Sequence, residues 1–175
     1  GLPNRAHYTN FLVKKDGKWL LSSVRESAYI PPNNYEKLRQ FEWVLGEWAE
    51  DVKEGHAGRV VFEWTPDSNF IIASRAVAVS DQLLFNGTER IGWDPAAKLV
   101  RSWSFEADGG FSEGTWTREG DNTWIVTVSS VLRSGSLMTS RTVVKRVDAD
   151  TITWQATRQV LDGKPLPDTQ MVTMK

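Results

Sequence analysis

Three arginines sit in alternating, strand-like runs of this 175-residue chain: Arg75 in IIASRAVAV, Arg101 in KLVRSWSFE and Arg141 in MTSRTVVKR. Four tryptophans, Trp93, Trp103, Trp116 and Trp154, lie in runs of the same kind. A guanidinium inside an aromatic cavity captures a carboxylate or phosphate through two parallel N–H···O bonds. These seven side chains would therefore line a pocket for a small, partly apolar, anionic molecule. A second reading competes with the first. Arginines are costly in a dry interior unless paired, and Glu50, Glu63, Glu89 or a neighbouring indole would serve as partners. The tryptophans equally suit a collapsed core, since small barrels either fill with side chains or hold one small ligand.

Other chemistry is poorly represented. His7 and His56 are the only histidines, and His56, in EGHAG, reads as a solvated loop residue, so no metal or cofactor is called for. No serine has the Gly-x-Ser-x-Gly context of a nucleophile elbow, and RSGSL reads as a turn. With no cysteine, thiolate catalysis and disulfides are excluded. Glu113 would be an acid or base only if it faced inward, and the expected register turns it outward. No catalytic residue is assigned, and the sequence leans away from an enzyme. The triplet NGT at 86–88 matches a glycosylation acceptor but reads as a turn leading into the next strand.

The elements that must position these residues are mostly strands. Composition is balanced, with 21 basic and 22 acidic residues interspersed for a formal charge of −1. No basic stripe marks a nucleic-acid footprint, and no apolar run approaches the ~20 residues of a membrane span. Residues 7–14 and 18–26 alternate around Asp16-Gly17, a two-residue hairpin signal. A linker, AYIPPNN, leads to a short helix capped by Asn34 and ended by Gly46. Ten strand-like runs follow at 47–54, 58–65, 69–79, 86–93, 99–106, 111–118, 123–131, 137–146, 150–160 and 168–174. Short turns separate them, as in an antiparallel sandwich or an up-and-down barrel, which leaves no exposed edge.

Two hairpins are specific enough to assign faces. A two-residue turn at Asp108-Gly109 puts Arg101 opposite Trp116, Trp103 opposite Gly114 and Phe105 opposite Ser112, with this aromatic face inward. A turn at Asp148-Ala149 likewise puts Arg141, Val143 and Lys145 on one inner face with Ile152, Trp154, Ala156 and Arg158. A slip of one residue would reverse either assignment.

WVLGEWAED resembles the Gly-x-Trp start of the first strand in lipocalins and other calycins, with Gly46 and Trp48 as structural residues closing one end. GWDPAAKLVRSWSFEADGGFSEGTW, followed by DADTITWQATRQVLDGKPLPD, is similar to a lipocalin-like bacterial family of uncharacterised proteins, over roughly residues 36–175. The resemblance implies an all-β, up-and-down antiparallel lipocalin-like barrel of about ten strands over 31–175, with one short N-terminal helix. YTNFLVKKDGKWLLSSVRES is similar to the closing hairpin of nuclear-transport-factor-two-like, ketosteroid-isomerase-like domains. Residues 1–30 are thus expected to be a remnant hairpin plus linker from a cone-fold domain cut short, with any targeting region outside this chain. This pairing of domains is compatible with export to the periplasm or cell surface. The expected partner is a small hydrophobic or anionic ligand, with a filled interaction barrel and an accessory domain of a cyclase or isomerase as the other two readings. A homodimer would cover the strand edges of 7–26.

Overall fold

A computed structural model describes residues 6–28, 32–50, 56–79 and 82–175. They form two compact units that divide between Pro32 and Asn33. In the first unit β1 (Ala6–Lys15) and β2 (Lys18–Ala28) pair antiparallel, from Lys15 opposite Lys18 to Ala6 opposite Ala28. Asp16 and Gly17 both take positive φ, 52° and 81°, as a two-residue hairpin turn requires. Tyr8, Phe11, Leu12, Trp19 and Leu21 of this hairpin are exposed.

The second unit opens with helix α1 (Tyr35–Leu38), which tightens into a 3-10 segment at Arg39–Val44. Asn34, the expected cap, makes no side-chain capping bond. Instead Asn33 Oδ1 accepts the Tyr35 N–H at 3.2 Å, and the Asn34 N–H donates to Asn69 Oδ1 at 3.1 Å. Gly46 then takes φ 111°, which a side chain would resist, and the chain turns into an antiparallel sheet.

That sheet has 11 strands. They are β3 (Gly46–Ala49), β4 (His56–Trp64), β5 (Phe70–Val79), β6 (Gln82–Asp94), β7 (Leu99–Glu106), β8 (Phe111–Arg118), β9 (Thr123–Val131), β10 (Leu137–Arg146), β11 (Ile152–Leu161), β12 (Lys164–Pro165) and β13 (Val172–Met174). Each strand from β3 to β12 pairs with the next, and β13 pairs with β11. Past β3, Glu50 bridges Met174, while Ala49 and Lys175 exchange both backbone hydrogen bonds at 2.8 and 2.9 Å. The expected strand 47–54 is described only to Glu50, and the expected strand 168–174 shortens to β13. Among the described residues no helix is long and apolar enough to cross a membrane.

The helical segment packs across one end of the strands. Leu38, Phe41 and Val44 are buried with Ile71, Ile91, Val100 and Trp124. Phe41 meets Trp116 edge-on, with centroids 5.3 Å apart, and Trp43 stacks on Trp124 at 4.7 Å. Trp48 packs with Val60, Ala73, Ile152 and Met174. Its indole N–H donates to the Val44 carbonyl at 2.7 Å, tying β3 to the helical segment.

Both hairpins whose faces the sequence assigned are shifted by one residue. The turn between β7 and β8 holds three residues, Ala107 to Gly109, because the Glu106 N–H donates to Gly110 O and Gly109 adopts φ 95°. This is the three-residue loop in which glycine supplies the left-handed residue. Val100 therefore faces Trp116, Ser102 faces Gly114 and Ser104 faces Ser112, while Arg101, Trp103 and Phe105 point to the outer face. The turn between β10 and β11 likewise holds Asp148 to Asp150, closed by the Val147 N–H on Thr151 O. Val144 is paired with Trp154 and Thr142 with Ala156, so Arg141, Val143 and Lys145 face outward. A bulge near Arg158, whose φ is 50°, leaves that side chain exposed.

Candidate functional site

Side chains on one face of the sheet in the second unit line an open cavity of about 510 Å³. That volume is within the range of small-molecule sites. Its wall changes character along the strands. Toward the helical end it is apolar and aromatic, with Val44, Phe62, Trp116, Val126, Trp154 and Ile152. Toward the other end come Ser104, Ser112 and Ser130, which are consecutive neighbours across β7, β8 and β9. One residue pair further along lie Glu106 and Arg75.

Three charged side chains meet there. The Arg75 guanidinium donates to Glu106 at 3.1 Å and lies 4.0 Å from Glu89. Gly87 stands between Arg75 and Glu106 in the ladder. A Cβ at Gly87 would collide with the Glu106 carboxylate and come within 3.0 Å of the Phe105 carbonyl. The missing side chain thus lets the carboxylate reach across a strand to the guanidinium. Glu106 Oε2 and Arg75 Nε are buried and find no hydrogen-bond partner. Burial pushes the Glu106 carboxyl above the usual range, and the nearby Glu89 and Asp108 add to the rise while Arg75 opposes it. Glu50 is a third carboxylate in the wall, beside Gly58. Arg59 also borders the cavity, but its guanidinium is paired with Glu47 on the exposed side.

Of the residues chosen from sequence, Arg75, Trp116 and Trp154 line this cavity. Trp93 is on the inner face but packs into the helical-end core, with Lys37 Nζ 5.1 Å from its ring centroid. Arg101 and Trp103 are not in the cavity. Arg101 pairs with Glu113 and, at 3.5 Å, with Asp94, and it lies 5.8 Å from the Trp103 ring. Arg141 is also outside, 3.4 Å from Glu119. The extra turn residue in each hairpin put all three there. Gly114 makes room for the buried Ser102 hydroxyl, not for Trp103, and that hydroxyl accepts the Trp116 N–H at 3.0 Å. Gly46 and Trp48 lie at the junction of the helical segment and β3. The side chains of His7 and His56 lie outside the described part, although the His56 backbone opens β4.

Glu106 and the serine row escaped sequence reasoning. Their signal was the alternation Ser102, Ser104, Glu106, which reads as a solvent face unless the interior is hollow. Among the described residues no three His, Cys, Asp or Glu side chains gather as a metal site. No family model and no curated protein matches the chain.

Proposed function

We propose that residues 33–175 form a lipocalin-like barrel that holds one small, partly apolar molecule. The observation that carries this reading is the cavity of about 510 Å³ with an apolar, aromatic inner end and a polar, charged outer end. An amphiphile fits such a wall, since its body removes apolar surface from water while its head meets the serine, arginine and glutamate groups. Closure into a barrel is supported by the Glu50–Met174 bridge and the paired backbone bonds of Ala49 and Lys175, which join the β3 end of the sheet to β13. The filled-barrel alternative has no comparable support, because a filled barrel leaves no such space.

The test is native mass spectrometry of the purified chain, followed by titration with the neutral, polarity-sensitive dye Nile red. A co-purified small molecule, or stoichiometric dye uptake that Trp154→Ala weakens, is the expected result. A clean mass together with no dye uptake would overturn the reading. A second reading, proton transfer to a bound molecule, is favoured by the raised Glu106 carboxyl inside a cavity. It requires that a captured molecule gain deuterium from heavy water in the wild type and not in Glu106→Gln.

A further inference from the structure

The charges on the cavity wall do not balance. Among the described residues Arg75 is the cation that pairs with the inner carboxylates, and it faces both Glu89 and Glu106. Glu50 adds another carboxylate to the same wall. Side-chain exposure is 15% for Glu89 and 19% for Glu106, so water shields neither well. Two carboxylates sharing one guanidinium in a partly desolvated site favour either protonation of one of them or the arrival of a further positive charge.

We propose that the cavity takes an organic cation: a molecule with a protonated amine on an apolar body, its ammonium seated at Glu106 and Glu89 and its body lying toward Trp116 and Trp154. This rests on the binding reading above and deepens it by naming the ligand class. The order of residues along β7 sets the orientation. Val100 lies at the helical end, then Ser102, Ser104 and finally Glu106, so apolar surface and carboxylate are separated along one strand. Serine hydroxyls between them accept N–H donors without adding charge. Indole faces in the wall also attract a cation that passes or lodges near them.

An anionic ligand, the expectation from sequence, fits this wall poorly. It would have to displace the carboxylates from Arg75 and then share the site with them. The arginines that made an anion attractive, Arg101 and Arg141, are on the outer face with partners of their own. Like charges brought together at low local dielectric repel strongly.

The experiment uses the full chain and three eight-carbon probes: octylammonium, octanol and octanoate, each competing with Nile red. Octylammonium is expected to displace the dye at about a tenfold lower concentration than octanoate, the worth of one modest charge contact. Glu106→Gln should remove most of that advantage. The wild-type advantage of octylammonium over octanol, which carries no titrating group, should also shrink as pH falls and the Glu106 carboxyl takes up a proton. The charged groups facing Glu106 are Arg75 from β5, Glu89 from β6, Asp108 from the adjoining turn and Arg133 across a small neighbouring cavity. Octanoate binding as well as octylammonium, or an advantage untouched by both Glu106→Gln and acid, would overturn the proposal while leaving a binding barrel. Failure of all three probes, octanol included, would overturn the binding reading itself. Should Glu106→Gln not fold, Glu89→Gln and the wild-type pH series decide the question alone.

Discussion

Gly114→Ala tests the register and the packing of the cavity wall together. An added Cβ at this position would lie 2.5 Å from Ser102 Oγ and 2.9 Å from Val126 Cγ1, both closer than real Cβ contacts allow. Ser102 is only 2% exposed and Val126 4%, so neither has free space to retreat into. Overpacking of this kind costs about 1–3 kcal/mol. If the Ser102 hydroxyl rotates away, the Trp116 N–H loses its 3.0 Å acceptor, and an orphaned donor adds about 1 kcal/mol. The sum is about 2–4 kcal/mol, or roughly 5–15 °C in midpoint for a domain of this size. Urea and thermal unfolding would be measured for Gly114→Ala, Ser102→Ala and the double variant. Ser102→Ala removes the clashing oxygen, so the double variant should be destabilised by clearly less than the sum of the two singles. Wild-type stability in Gly114→Ala would refute the reasoning. So would strict additivity, because it would mean that Gly114 and Ser102 do not touch.

Arg101→Ala should leave Nile red uptake unchanged and cost about 1 kcal/mol or less, as half-exposed surface pairs do, whereas Arg75→Ala should alter uptake; a dye titration of both separates the outer arginine from the inner one. Phe41→Ala, at a side chain 1% exposed in contact with Trp116 and Trp124, should cost about 3–5 kcal/mol in urea unfolding. Acid should loosen the turn between β4 and β5. The Thr65 hydroxyl and the Asn69 N–H donate to Asp67 Oδ1 at 2.6 and 3.1 Å, and these bonds hold its carboxyl down at about 2. A carboxyl lowered in the folded state contributes stability above its unfolded value of about 3.9 and loses it as pH falls through the folded value. The urea midpoint should therefore decline between roughly pH 4 and pH 2, and less steeply in Asp67→Asn.

Fold class was largely legible because period-2 alternation and turn residues are local properties. The Asp16-Gly17 hairpin, the end of the helical segment at Gly46 and most strand limits follow from such signals. The two inner faces were not legible, and one cause explains both. Asp108-Gly109 and Asp148-Ala149 look like two-residue turns, yet each connection uses three residues. At Asp108-Gly109 the dipeptide does not distinguish the cases, since a glycine with positive φ serves the second position of one turn and the last position of the other, and Asp148-Ala149 carries no glycine to mark either. The decision is made by pairing across the hairpin, a non-local quantity, and one residue reverses every side chain beyond it.

Hydrophobicity then reinforced the wrong choice. Between Arg101-Trp103-Phe105 and Ser102-Ser104-Glu106, burial of apolar area favours the first set as the inner face. That argument holds for a packed core and fails for the wall of a hollow interior, where polar groups meet a bound molecule or water. The outer aromatic set manages its exposure differently: Arg101 lies over Trp103, and Phe70 packs into the space that Gly92 leaves open beside the same indole. Gly87 and Gly114 carry the complementary signal on the inside. Each is a strand-interior glycine, which weakens a strand unless another group needs the space. At Gly114 that group is the hydroxyl that holds Trp116, and at Gly87 it is the carboxylate that reaches Arg75. A glycine inside a strand therefore marks a close neighbour on its own face, on the cavity side at Gly87 and Gly114 and on the outer side at Gly92.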